Sequence, residues 1–254
     1  FSYSMLGGLN DVVKNSEDVY GTTATDFGFG GVGGASNIIM RASKYAPGSR
    51  VSLAYTNRNY KMRGTYTFST GLSPTGWAFT AALGYRWADE GFIEGTFYNS
   101  LGYMVALEKV INSKHSISLT SFGAPTQRGN SSANVQEVYD LVGSNYYNSY
   151  WGYQDGKKRN SRIVTDYEPV VMLNHLWDVS KFTKINTGLA TRASGYGSTA
   201  IAYNNASNPN PTYYRNLPGY QSTQEMKDFY TQIWQSKDPT RTQVNWDRLY
   251  MVNK

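Results

Sequence analysis

From about residue 49 onward, apolar and polar side chains alternate along the chain with a period of two. This alternation predicts β-strands with one face in apolar and the other in polar surroundings. The predicted strands cover residues 49–58, 60–69, 77–87, 100–111, 115–122, 164–176 and 181–193. Because several of them are joined by connections too short for a parallel crossover, the pattern predicts an all-β, antiparallel fold.

Residues 77–87 form the most regular of these strands. Its apolar face carries, in order, Trp77, Phe79, Ala81, Leu83, Tyr85 and Trp87. The opposite face holds small or polar side chains and one arginine. A tilted strand of about 9–11 residues crosses a bilayer, and rings at both ends suit the two headgroup levels. The pattern therefore favours a transmembrane β-barrel over a soluble sandwich, whose strands are about half as long.

The connections between the predicted strands also alternate in length. Short ones are expected at residues 71–76, 112–114 and 177–180, and long ones at 88–98, 123–163 and from 194 onward. This alternation is typical of a barrel whose two ends face different compartments. The turn at residues 57–59 is short on the long-connection side. Within the last connection, residues 223–235 have apolar groups at helical spacing and predict a helix.

Composition narrows the chemistry of the chain. It has no cysteine, which excludes disulfide scaffolds, thiolate metal sites and thiol catalysis, and two histidines are too few for a multi-histidine metal centre. The formal charge of +6 is spread along the chain, without the dense basic stripe of a nucleic-acid-binding protein. No run approaches the roughly 18 apolar residues of a membrane helix. No serine, histidine and acid are placed as a catalytic triad, so we predict neither enzymatic activity nor a cofactor.

Three further patterns are interpreted without a chemical role. Residues 28–33 match G-x-G-x-x-G, but no apolar strand precedes them and no acid follows about 20 residues later, so a tight backbone crossing is the favoured interpretation. Asp89, Glu90 and Glu94 suggest calcium, but their spacing matches no EF-hand loop, and solvated loop acids are favoured. His115 and His175 border predicted strands and are interpreted as satisfied or interfacial histidines.

The second long connection combines aromatic and basic residues. The basic cluster 157–159 follows the aromatic run 151–156. Nucleobases stack on aromatic rings that lie beside cationic side chains, so a nucleic-acid site is one interpretation. A structured hairpin is the favoured one. The candidate ligand-binding residues of this connection are Tyr146, Tyr147, Trp151 and Tyr153.

Residues 31–41, GVGGASNIIMR, resemble the closing segment of the plug domain of TonB-dependent outer-membrane receptors. In these receptors a glycine-rich turn and an Asn-Ile strand precede the first barrel strand, which here would begin near VSLAY at residues 51–55. The segments 123–129, 151–160 and 244–250 are similar to Bacteroidetes members of that family, in the broad sense SusC-like transporters.

The resemblance implies two regions. Residues 1–46 would be the C-terminal part of a plug domain, and residues 47–254 the N-terminal part of a transmembrane β-barrel. Long extracellular loops would lie at about 123–163 and 194–254. The chain is thus expected to be a fragment of a 22-stranded barrel, integral to the bacterial outer membrane.

The function implied by the resemblance is TonB-dependent import of a nutrient such as a glycan, peptide or siderophore. The implied partners are the TonB–ExbB–ExbD complex, acting through a segment absent here, a SusD-like surface lipoprotein, and outer-membrane lipid with lipopolysaccharide. No nucleic acid is expected. Two alternatives stay open: an extracellular all-β carbohydrate-binding or adhesin module, and an outer-membrane enzyme barrel, for which no catalytic constellation was found.

Overall fold

The computed structural model describes residues 3–13, 15–25 and 31–253 of the chain. In these ranges the chain is mostly β-sheet. The strands are β1 (Ser16–Tyr20), β2 (Gly34–Ile38), β3 (Gly48–Tyr55), β4 (Met62–Leu72), β5 (Trp77–Ala88), β6 (Tyr98–Val110), β7 (His115–Gly123), β8 (Thr126–Gly129), β9 (Trp151–Gln154), β10 (Lys157–Asn160), β11 (Ile163–Tyr167), β12 (Val170–Ser180), β13 (Thr183–Arg192) and β14 (Gly195–Ser198).

Helices are fewer and short. The α-helices are α1 (Gln136–Val142), α2 (Gln224–Gln235), α3 (Pro239–Thr242) and α4 (Trp246–Val252). Short 3₁₀ helices occupy Tyr3–Leu6, Asn10–Val12, Ala42–Lys44, Tyr214–Asn216 and Pro218–Tyr220. Helix α2 confirms the helix predicted at 223–235, and the Thr223 side chain caps it by accepting from the Met226 N–H. No helix within the described ranges combines the length and apolar character needed to cross a membrane.

The long strands form one antiparallel meander. Its order is β13-β12-β7-β6-β5-β4-β3, and β8, β11 and β14 extend the sheet beyond β6. Strands β1–β2 and β9–β10 form separate two-stranded pairs. The prediction of an all-β, antiparallel chain is confirmed at this level.

Two predicted boundaries were wrong. The strand expected at 164–176 is split into β11 and β12, and Pro169, which has no backbone N–H to donate to a ladder, stands in the gap. The turn expected at 177–180 belongs to β12, because Trp177 pairs with Ile185 and Asp178 with Lys184 in the ladder with β13. The chain reverses at residues 181–182 instead.

The outer face of the meander is apolar and uncovered in the described chain. Leucines on four neighbouring strands follow one another through the register, beginning at Phe79; the row is Phe79, Leu107, Leu119, Leu173 and Leu189. Trp77 and Trp87, at the two ends of β5, are 47% and 38% exposed. The two tryptophans are therefore not buried against a second sheet. This agrees with the outward-facing position that the sequence pattern predicts for them.

The inner face of the meander carries mostly small side chains and is covered by the N-terminal segment, residues 3–13 and 40–45. The buried residues of the sheet include Ala78, Thr80, Ala82, Met104 and Ala106. Apolar residues of the N-terminal segment pack on them in one cluster; they include Met5, Leu6, Leu9, Val12 and Met40. The small size of the wall residues lets a second layer of backbone approach the sheet closely.

The closest approach is between two glycines. Gly7 has a φ of +58°, and a Cβ added at Gly102 would lie 3.0 Å from the Gly7 Cα. Only glycine gives a left-handed conformation without strain and leaves room for this crossing. The crossing predicted at residues 28–33 falls mostly outside the described residues, of which only 31–33 belong to that stretch.

A buried ion pair fixes the N-terminal segment on the sheet. Glu108 is fully buried on the inner face of β6, and the Arg41 guanidinium donates to its Oε1 through Nε at 3.1 Å and through Nη2. The Ser43 N–H donates to Oε2 at 2.9 Å, and Arg41 Nη2 also donates to Ser116 Oγ at 3.2 Å. A buried carboxylate is stable only when it is paired and hydrogen-bonded, so this contact permits one placement of residues 41–43.

Replacing Arg41 by alanine is expected to lower the free energy of unfolding by about 3 kcal/mol, because Glu108 then stays buried without its counter-ion. The matched control is Arg50→Ala. Arg50 pairs with Asp11 at 3.3 Å between the same two layers, but its side chain is 62% exposed, and we expect a loss below about 1 kcal/mol. Equilibrium unfolding in urea, followed by tryptophan fluorescence, measures both. Equal losses for the two variants would contradict the anchoring role of Arg41.

Candidate ligand-binding cap

The two ends of the meander differ in how their strands are connected. At one end the connections are tight, at residues 73–76, 111–114 and 181–182. At the other end, residues 89–97, 124–169 and 193–253 fold together into a layer that we call the cap. The cap contains β8–β11, β14 and all four α-helices. The predicted long connections are therefore ordered structure with a defined surface.

A hairpin of β9 and β10 forms the centre of the cap. Asp155 and Gly156 have φ values of +50° and +74° at its turn. Asp-Gly suits this position because a type I′ turn needs positive φ at both central residues. The Trp151 backbone oxygen accepts from the Val244 N–H at 3.0 Å, and the Arg159 backbone oxygen accepts from Trp246 Nε1 at 3.3 Å. The hairpin expected from the 151–159 pattern is confirmed, and the C-terminal helices pack on it.

The structure separates the four candidate ligand-binding residues into two pairs. Tyr147 and Trp151 are buried, while Tyr146 and Tyr153 are exposed. The Tyr147 hydroxyl donates to the Thr242 carbonyl, and its ring meets Trp234 edge-on at 5.7 Å. Burial raises the pKa of the Tyr147 phenol well above its ordinary value. Ligand contact by these four residues stays a prediction, and only the exposed pair is accessible at the surface of this chain.

Lys158 joins the hairpin to the neighbouring connection at 89–97. Its Nζ donates to Glu90 Oε1 at 2.8 Å and to Glu94 Oε1 at 2.7 Å, and lies 4.8 Å from the Trp151 ring centre. Glu90 Oε1 also accepts from the Gly95 N–H at 2.9 Å. The Lys158 ammonium therefore occupies the position between the two carboxylates that a bridging metal ion would take. Among the described residues no group of three or more potential ligands for a metal ion is found.

These contacts set the protonation of Glu90. Burial acts to raise its pKa, but the Gly95 N–H and the Lys158 ammonium outweigh burial, so the pKa of Glu90 lies below its ordinary value of 4.5. A carboxyl whose pKa is depressed on folding stabilises the fold above its unfolded pKa. That stabilisation is lost as the pH falls through the folded pKa.

At neutral pH the free energy of unfolding of wild type is therefore expected to exceed that of Glu90→Gln by about 1 kcal/mol. Wild type should accordingly unfold at a higher temperature. The difference should shrink below pH 4.5, where protonation abolishes the charge that the variant lacks. Thermal unfolding of both proteins across this pH range measures it. In a Lys158→Met background, the pH dependence of this stability difference should be reduced. A stability difference that does not change with pH would contradict the assignment of a depressed pKa to Glu90.

One cleft of the cap has a volume of about 870 Å³ and lies among residues 204–216, α2, α3 and α4. Seven asparagines and two arginines line it, and no aspartate, glutamate or lysine does. Several of these groups build the walls. Trp234 Nε1 donates to the Asn216 carbonyl at 3.0 Å, and Asn245 Oδ1 caps α4 by accepting from the Arg248 N–H at 2.9 Å.

Sequence analysis did not identify this cleft. Its nearest signal is the run NNASNPNP at residues 204–211, in which prolines and asparagines predict an irregular loop. The arginines stand at least 30 residues further along the chain, and only the packing of the helices brings them to the same cleft.

The two histidines also meet only in the folded chain. His115 Nδ1 and His175 Nε2 are 3.0 Å apart, with parallel rings at 5.3 Å, near the tight-turn end of the sheet. Trp177 stacks on His115 at 5.4 Å. This contact is consistent with the interpretation of the two residues as satisfied histidines, and their place at a membrane interface stays a prediction.

Comparison with known proteins supplies a fold relationship. No family model matches the chain, and no curated protein matches it. Among solved structures, it is similar to the siderophore receptor PiuA from Acinetobacter baumannii, with a TM-score of 0.55 and 17% identity. The similarity covers 74% of this chain and 27% of that one, so the chain spans about a quarter of the receptor's length. The likeness shows a shared fold.

Proposed function

We propose that this chain belongs to a TonB-dependent transporter of the bacterial outer membrane, which imports a nutrient. The observation that carries the proposal is the uncovered apolar row from Phe79 to Leu189 on the outer face, with buried small residues on the inner face. Soluble monomers rarely expose so continuous an apolar surface. Hydrocarbon would satisfy it, and exposed Trp77 and Trp87 lie at the ends of β5 as rings at the two headgroup levels would.

In this proposal residues 1–46 are the end of a plug and residues 47–254 the start of a 22-stranded barrel. The plug contacts the wall through the apolar cluster around Leu9 and the Arg41–Glu108 pair. Force from the TonB–ExbB–ExbD complex would displace plug segments upstream of Arg41, because that ion pair holds the last plug residues on β6. The likeness to PiuA, a siderophore receptor, supports a fold like that of TonB-dependent receptors.

The cap would face the exterior and capture the nutrient. Tyr146 and Tyr153 offer exposed rings for direct contact, while Tyr147 and Trp151 would act by holding the cap together. Membership of the Bacteroidetes, SusC-like group and a SusD-like lipoprotein partner are part of the proposal and rest on the sequence resemblance. Lipid and lipopolysaccharide would contact the outer face, and no nucleic acid, cofactor or catalysis is involved.

The membrane assignment predicts the effect of a charge on the outer face. Leu83→Arg, in the middle of β5, is expected to cost about 2–4 kcal/mol of folding stability in a bilayer. Val135→Arg is the control, because Val135 is equally exposed but lies in the cap. Folding into lipid vesicles, measured by tryptophan fluorescence, compares the two. If the protein is instead a soluble carbohydrate-binding or adhesin module, both variants fold without detergent and neither loses stability.

Import itself is tested in cells. A strain lacking the gene is expected to lose growth on one source in a panel of glycans, peptides and iron-loaded siderophores, and the intact gene should restore it. Deleting tonB should abolish uptake of that compound while leaving its binding at the cell surface, because capture needs no energy. An adhesin would give no growth defect on any source.

A further inference from the structure

The cleft of the cap is lined by two guanidinium groups, and no acidic side chain stands among its lining residues. Arg241 and Arg248 are exposed, line the cleft and form no ion pair with any described carboxylate. Asp238 stands outside the lining and caps α3, accepting from the Thr240 N–H and hydroxyl at 2.9 Å, and Arg241 attracts it only as the weaker, electrostatic partner. With no acid in the lining, the two charges make the cleft a site of positive potential.

The same cleft presents amides that the protein leaves unused. Asn204 and Asn205 are exposed in the turn at its rim, where Asn204 has a φ of +37°, and no hydrogen bond to either side chain is found within the described ranges. Asn216 and Asn245, by contrast, bond to backbone carbonyls of the walls. Each free amide can donate two hydrogen bonds and accept others, which is the combination that sugar hydroxyls require.

We propose that this cleft binds an acidic oligosaccharide. Arg241 and Arg248 would hold carboxylate or sulfate groups through charge-assisted, bidentate hydrogen bonds, and Asn204 with Asn205 would bind hydroxyls. A volume of about 870 Å³ lies within the range of small-molecule sites and accommodates several sugar rings. A peptide is less well matched, because the lining offers no carboxylate for an ammonium group. The inference rests on the proposed function only in taking the bound sugar as the imported nutrient.

Calorimetric titration of the intact protein in detergent tests the site with defined probes. Tetragalacturonic acid presents carboxylates alone, a chondroitin sulfate tetrasaccharide adds sulfate esters, and cellotetraose is neutral. We expect at least one acidic probe to bind at least tenfold more tightly than cellotetraose, with affinity falling as salt is raised. The comparison of the two acidic probes separates carboxylate from sulfate recognition.

Variants assign the binding to the cleft. Arg241→Gln and Arg248→Gln should each weaken acidic-probe binding by about tenfold or more, because each loses a charge-assisted pair. Arg248→Lys should retain part of the affinity, since it keeps the charge without the fork. Arg215→Gln is the matched control: Arg215 is exposed in the cap but lies over Tyr213 and Tyr214, outside the lining.

Three results would overturn the inference: no binding of either acidic probe, equal binding of cellotetraose, or an equal loss for Arg215→Gln. Binding of tetraglutamate as tightly as the acidic sugars would assign the site to peptides instead. These outcomes leave the growth and tonB experiments untouched. Conversely, binding of an acidic probe without any growth defect would contradict the proposed import and leave the oligosaccharide-binding cleft supported.

Discussion

The two faces of the seven-stranded meander carry different side chains and therefore need different surroundings. The rest of the structure depends on this difference. The leucine row on the outer face needs an apolar medium, because its burial releases water from hydrocarbon surface. The inner face offers alanine, glycine and threonine, which cannot fill a core by themselves. A second layer must therefore cover the inner side, and in this chain the N-terminal segment does so.

The N-terminal layer is held by two kinds of contact with different consequences. The apolar cluster around Leu9 is non-directional, and small displacements cost it little. The Arg41–Glu108 pair is directional, buried and hydrogen-bonded also by Ser43, so it fixes one placement. Under the proposed transport function, this difference separates a stretch that can yield to a pulling force from one that stays on the wall.

The cap shows why one end of the sheet is suited to binding. The tight turns at the other end are too short to form a binding surface. The long connections, by contrast, fold into a layer with its own buried residues, among them Tyr147, Trp151 and Trp234. Lys158 ties this layer to the 89–97 connection. Under the proposed binding function, a cap with its own buried residues would hold the backbone around the cleft in place and so lower the entropic cost of binding a ligand.

The sequence by itself determined the seven long strands of the meander, the alternation of short and long connections and the helix at 223–235, because these depend on local periodicity and turn chemistry. It indicated the β9–β10 hairpin through the aromatic run 151–156 beside the basic cluster 157–159, and it missed the break at Pro169. Tertiary structure alone decided which cap aromatics are buried, that His115 meets His175, and that Arg41 reaches Glu108, 67 residues away. It also decided that two arginines beyond residue 240 share a cleft with the asparagine run at 204–211. Such contacts follow from how separate elements pack, and no spacing along the chain encodes them.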